Sequence, residues 1–215
     1  MEEMKDKLDA SEVSELEAEI NKVIADIQGQ EQEAQAAIKA LEAAASAMDA
    51  EIRKKEKELA SQIANVPSES GFLWPLNGYN TLTSLFGSRI HPITGKANNH
   101  TGIDIPAPAG TAILASKSGV VITSTRNRSY GNYVVVGHSD GTSTLYAHMS
   151  SRSVSQGQTV KQGQVVGRVG TTGSSTGNHL HFEVRVNGSR VDPVNYFKSK
   201  TLYVQSRGRK VQLKH

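Results

Sequence analysis

Apolar and small residues recur along the first third of the chain at alternating steps of three and four. They fall at Val13, Leu16, Ile20, Val23 and Ile27, then, past polar Gln30, at Ala34, Ala37, Leu41, Ala44 and Met48. That spacing is the seam of a helix that pairs with another helix. Ala, Glu, Lys and Gln dominate residues 8 to 65, Gly29 is the one glycine there, and proline first occurs at Pro67. The pattern predicts one helix of roughly 85 Å at 1.5 Å per residue. The step of four from Ala44 through Met48 to Ile52 is a stutter, which relaxes the left-handed supercoil. Leu59 and Ile63 extend the apolar series. The expectation for residues 1–65 is a coiled-coil segment that pairs with a second copy or with a helical partner. Val66-Pro67-Ser68-Glu69-Ser70-Gly71 stops the helix and reads as a flexible linker.

From Phe72 the period changes. Short β-branched runs at 111–115, 119–125, 133–137, 143–149, 164–169 and 179–186 are separated by turn signals such as Ser139-Asp140-Gly141 and Asn187-Gly188. No helical pattern lies between them. The predicted fold class is mainly β, an antiparallel β-sandwich or barrel-sandwich over residues 72–197 behind the long helix. The stretch Gly157 to Gly167 is similar to the hairpins of lipoyl-type domains, but no lysine sits at a hairpin tip with a Met or Asp beside it, so a carrier role is not expected. Residues 198–215 read as a basic, flexible tail.

The run His179-Leu180-His181-Phe182-Glu183-Val184-Arg185-Val186 alternates strictly. Its apolar members face a core and its polar members an open face, because successive strand side chains point to opposite sides. Two imidazoles then stand on one face, their Cα atoms roughly 6.6 Å apart. Both reach a single metal ion, or one binds it while the other serves the chemistry beside it. A second cluster pairs His100 with Asp104, an even offset that puts both on one face of an extended chain, with Ile103 and Ile105 facing the core. Gly102 between them leaves room above the chain for a metal or a substrate. In the third cluster, alternation sends Leu145, Ala147 and Met149 to the buried side and Thr144, Tyr146 and His148 to the open one. Four of the seven histidines thus sit on polar faces, with one Asp among them.

Composition narrows the chemistry. The 215 residues hold no cysteine, so a metal site must use His, Asp and Glu. No apolar run approaches a membrane span, and Met1-Glu-Glu-Met-Lys-Asp-Lys has no signal-peptide pattern. A protein acting in the cell envelope or outside the cell would be a processed or truncated form, or would use another export route. Residues 1–65 hold 16 Asp/Glu and 8 Lys/Arg, a net of −8, whereas residues 66–215 hold 5 and 16, a net of +11. Such a cationic domain attracts polyanions. No nucleic-acid-binding motif accompanies it, so the polyanions that remain are an anionic membrane and an anionic cell-wall polymer.

Several segments together resemble the lysostaphin/LytM-type zinc metallopeptidases that cut peptidoglycan peptides. They are Trp74-Pro75-Leu76, Phe86-Gly87-Ser88-Arg89-Ile90-His91-Pro92, His100-Thr101-Gly102-Ile103-Asp104, Ala107-Pro108-Ala109-Gly110-Thr111, Tyr130-Gly131-Asn132-Tyr133-Val134, Tyr146-Ala147-His148-Met149, Ser175-Thr176-Gly177 and His179-Leu180-His181-Phe182-Glu183. The resemblance implies one Zn2+ per chain held by His100, Asp104 and His181, with a water at the fourth position. It implies catalytic roles for His148 and His179, and it assigns the metal to the second member of the His-x-His pair. Tyr146 and Tyr133 are further donors by chemistry, though tyrosines on strands usually serve packing. His91 is expected near the site rim, His138 in a turn and His215 in the tail. Some relatives carry an upstream blocking ligand, for which Asn65, Asn77 and Asn80 are the candidates. The implied function is a zinc endopeptidase of bacterial peptidoglycan. The rivals are a non-hydrolytic LytM-like activator of cell-wall amidases and a wall-binding module. Which bond is cut, glycyl-glycine or D-alanyl–diaminopimelate, is not legible.

Overall fold

The structure, a computed structural model, describes residues 10–90, 97–206 and 208–213. His91 and His215 lie outside them. The chain divides into two units, Met1–Ser46 and Ala47–His215.

The described part of the first unit is helical, the start of α1 (Ala10–Glu58). Its seam is solvent-exposed: Val13, Leu16, Ile20, Val23 and Ile27 are each between 41% and 53% accessible. From Met48 the same helix belongs to the second unit, and its apolar residues change role. Met48 and Ile52 are buried in a cluster with Ile122, Tyr130, Tyr133, Val135, Leu145 and Ala147. The stutter in the sequence marks the place where the seam stops facing solvent and starts covering a sheet. The helix breaks at Leu59 and resumes as α2 (Ala60–Ala64), ahead of Pro67.

The rest is mainly β, as the alternation predicts, with a short 3-10 helix at Pro193–Tyr196. The strands are β1 (Thr81–Leu82), β2 (Gly87–Ile90), β3 (Ala97–His100), β4 (Ile103–Pro106), β5 (Ala112–Leu114), β6 (Gly119–Asn127) and β7 (Gly131–Gly137). They continue as β8 (Thr142–Arg152), β9 (Thr159–Val160), β10 (Val165–Val169), β11 (His179–Val186), β12 (Ser189–Val191), β13 (Tyr203–Ser206) and β14 (Arg209–Gln212). The main sheet runs β12-β11-β8-β7-β6-β9, with β4 paired to β11 and β10 joining β5 to β8. Leu180, Phe182 and Val184 of β11 enter a core with Trp74, Ile103, Ile105 and Tyr146. The opposite face is not open. His181, Glu183 and Arg185 are at most 5% exposed, because α1 lies over that side of the sheet through Met48 and Ile52.

Two flexible segments of the sequence reading are ordered. In residues 66–71, Ser68 Oγ donates to the Ser118 carbonyl at 3.0 Å, and Glu69 accepts from the Ser118 amide at 2.8 Å and its hydroxyl at 2.7 Å. The Gly71 carbonyl adds a further tie, accepting from Gln162 Nε2 at 3.0 Å. In the basic tail, β13 and β14 form a hairpin closed by Gly208 at φ +77° and paired in parallel with β1. Leu202 is fully buried beneath it, and Lys210 lies 4.2 Å above the Tyr203 ring, where its charge is compatible with a folded strand. No helix among the described residues is long and apolar enough to cross a membrane.

Candidate metal centre

The antiparallel register of β4 and β11 sets His181 directly opposite Asp104. Directly opposed residues have neighbouring Cβ atoms on one face, and here His181 Nδ1 and Asp104 Oδ1 are 3.0 Å apart. His100 ends β3 and arrives by a bend rather than along a straight strand. A straight strand would hold residues 100 and 104 roughly 13 Å apart, whereas His100 Nε2 stands 3.2 Å from Asp104 Oδ1. Gly102 makes the bend feasible. A Cβ there would lie 2.3 Å from the Phe182 carbonyl oxygen, so the space expected for a ligand is filled by the neighbouring strand. His100 Nε2 and His181 Nδ1 are 3.1 Å apart.

The outer nitrogens of both rings are committed. His100 Nδ1 donates to the Leu85 carbonyl at 2.8 Å, and His181 Nε2 donates to Glu183 Oε1 at 3.2 Å. Each ring therefore turns its remaining nitrogen towards Asp104, the arrangement that orients metal-ligating imidazoles. Burial opposes charge here but loses to local partners. Burial works to raise the Asp104 carboxyl, yet hydrogen bonds from His100 and His181 hold it well below the usual range. Burial works to lower His181, yet Asp104 and Glu183 on its two sides push it up to about 9. The pocket is thus built for positive charge between its carboxylates.

His148 and His179 flank this cluster. Their rings are 4.7 Å apart, and His179 Nε2 is 3.7 Å from Asp104 Oδ1. Both commit Nδ1 to a carbonyl at 2.8 Å, Thr172 for His148 and Gly177 for His179. Burial lowers both, His148 to about 3 with added repulsion from His181 and His179. His148 does not get there by alternation. Its neighbours Tyr146 and Met149 enter the main core, while Leu145 and Ala147 face the helix. The register slips by one residue at this point, and His148 takes φ +58°. A bulge re-aims its ring onto the face of His181.

Tyr146 is fully buried, its hydroxyl bonded to the Ser116 amide and Thr144, and Tyr133 packs beneath the helix. Neither serves the cluster, and Tyr146 lies in the main core rather than on the open side that alternation predicts. His138 begins the expected turn but is buried, between the Ser118 carbonyl at 2.9 Å and Thr144 Oγ1 at 3.0 Å. Asn80 donates to the Thr201 carbonyl, and Asn65 caps α2. Tyr130, whose hydroxyl donates to Glu183, was missed by the sequence reading; its only signal is its place in the Tyr130–Val134 motif.

Peptidase family M23 matches residues 98–193, which contain all five clustered side chains. The catalytic domain of the prophage-encoded M23 protein EnpA from Enterococcus faecalis is 36% identical, with 57% of this chain covering 95% of that one at a TM-score of 0.50. The chain belongs to peptidase family M23. A second solved structure, a zinc-containing peptidase from Vibrio cholerae, is 38% identical over 58% of this chain and 39% of its own, at a TM-score of 0.54. The DD-carboxypeptidase/endopeptidase Mpg of Neisseria meningitidis is 50% identical over 117 residues, 54% of this chain and 27% of Mpg. This M23 chain therefore spans about a quarter of the length of that curated relative.

The donor set fits a small tetrahedral cation. Two imidazole nitrogens and one carboxylate oxygen, all buried, point inward at separations of 3.0–3.2 Å. A tetrahedron with zinc bonds of about 2.1 Å has edges of roughly 3.4 Å.

Proposed function

We propose that this chain is a zinc-dependent endopeptidase acting on the cross-links or stem peptides of bacterial peptidoglycan in the cell envelope. The observation that carries the reading is the convergence of His100 Nε2, Asp104 Oδ1 and His181 Nδ1 beside the paired rings of His148 and His179. The first three would hold one zinc ion. Bound zinc supplies a water with its pKa lowered towards about 7 and polarises the scissile carbonyl. Glu183 keeps the His181 ring in the tautomer that binds. His148 and His179, anchored through Nδ1, each keep Nε2 as a proton acceptor. The ring that takes a proton passes it to the leaving amine. While protonated it is also a donor towards the oxygen that gains negative charge.

The likeness to Mpg, a DD-carboxypeptidase/endopeptidase, supports a D-alanyl–diaminopimelate link rather than a glycyl-glycine bridge as the bond this chain cuts. The net charge of +11 over residues 66–215 suits an anionic wall polymer. The exposed seam of α1 suits a helical partner. Its flanks, Glu12, Glu17, Glu19, Asp26, Glu31 and Glu33, are acidic and exposed, so a helix with basic flanks fits it better than a second copy.

The test is digestion of purified walls of both cross-link types, with the new amino termini identified. Zinc-loaded protein should release them, chelated protein should not, and restored zinc should restore release. Folded, zinc-replete protein that releases none from either wall overturns the endopeptidase reading in favour of a non-hydrolytic activator.

A further inference from the structure

We infer that Asp49, on the long helix and outside the segment matched to the family, is a positioning residue of the metal centre. The inference rests on the zinc-site reading above. Glu183 is fully buried and hydrogen-bonds His181 through Oε1. Its other oxygen, Oε2, accepts from Arg185 NH2 at 2.7 Å, Arg185 Nε at 3.0 Å and Arg190 Nε at 3.4 Å. Both guanidiniums also reach Asp49. Arg185 NH1 donates to Asp49 Oδ1 at 3.0 Å, and Arg190 NH2 donates to the same oxygen at 2.8 Å. Arg190 NH1 stands 2.8 Å from Asp49 Oδ2. The chain of contacts thus runs from the helix to a proposed metal ligand through two arginines and one glutamate.

Charge explains why this matters. Two carboxylates and two guanidiniums balance. Without Asp49, both cations would lean on Glu183 alone. That would draw its charge away from the His181 N–H, weaken the hydrogen bond and make His181 Nδ1 a poorer donor to a metal. Arg185, only 1% exposed, would also lose one of its two anionic partners. Asp49 is held in place by its neighbours: Met48 and Ile52, one turn apart, are buried in the apolar layer on the sheet. The helix is therefore more than a cover. It completes the shell behind His181.

The test measures zinc affinity of the full chain by competition with a chelating dye, with far-UV circular dichroism and melting temperature as checks on folding. Asp49→Asn should weaken zinc binding about 10-fold or more, the usual cost of losing an outer-shell partner. Adding Arg190→Gln to that variant removes the surplus cation and should bring affinity back towards the wild type. Asp49→Glu, which keeps the charge, should retain most of it. A mere anchor predicts the reverse for the double variant, which has lost a second helix-to-sheet contact and should bind worse still. Affinity within about two-fold of wild type in Asp49→Asn overturns the inference, as does a double variant worse than the single one. Wild-type protein that takes up no zinc overturns both this inference and the metal reading beneath it.

Discussion

His181 and Asp104 face each other across β11 and β4 with Nδ1 and Oδ1 3.0 Å apart, while His179, two residues earlier on the same strand, stands opposite Pro106. One ring lies inside the cluster and the other at its mouth. His181→Ala should therefore abolish zinc binding. His179→Ala should keep zinc near one per chain and lose turnover. Zinc content after gel filtration and release of amino groups from purified walls separate the two effects. Exchanged behaviour of the two variants would show that the assignment within the pair is inverted.

The two carboxylates around His181 make the zinc-free protein sensitive to pH. The His181 pKa is raised to about 9, above its ordinary value of about 6.5. A raised base stabilises the folded state in full below its unfolded pKa, and that contribution is lost as pH climbs through the folded value. Chelated protein should thus lose thermal stability between neutral pH and about pH 9 from this group. Zinc-loaded protein should lack that loss, because the cation occupies the place of the proton. Melting curves across this range with chelator and with zinc provide the measurement. Parallel profiles would count against His181 as the site of exchange.

The strands and the site were legible to different depths. The alternation of β11 exposed both His179 and His181, because a period of two is the signature of one strand face. The cover over that face was not legible. Met48 and Ile52 continue a helical seam and give no sign in sequence that they pack on a sheet. The network around Glu183 was hidden for the same reason: Arg185 is close in sequence, but Tyr130, which donates to Glu183, and Asp49, which Arg185 also reaches, are not. Tyr146 does alternate against Leu145 and Ala147, but both faces of the strand are covered and its own is the main core; at His148 one inserted residue reverses the parity of the strand. The hairpin at 203–212 was masked by its Lys and Arg residues, which read as solvated tail although Leu202 is buried.

That reversal at His148 has an energetic consequence. A non-glycine residue at φ +58° carries about 1–2 kcal/mol of backbone strain. His148→Ala and His148→Gly should both lose turnover and retain zinc. The glycine variant should be the more stable of the two, by about 1 kcal/mol, because glycine adopts that φ without a Cβ clash. Urea denaturation of the two variants tests this. An alanine variant as stable as the glycine variant would mean that the bulge relaxes once the imidazole is gone.

The exposed seam of α1 is flanked by acidic residues. Parallel pairing of two copies in register would set Glu12 of one beside Glu17 of the other, and Asp26 beside Glu31, since flanking positions five apart meet across a heptad interface. Antiparallel pairing would bring the same acidic flanks together. Val13, Leu16, Ile20, Val23 and Ile27 favour association, but like charges on both sides oppose it between identical helices. The purified chain should therefore sediment as a monomer at moderate salt. A synthetic helical peptide with an Ile/Leu seam and lysine flanks should bind it, and more weakly as salt is raised. A peptide with the same seam and glutamate flanks should not. A stable dimer of the chain alone, or equal binding of the two peptides, would show that the seam selects by apolar contact and not by charge.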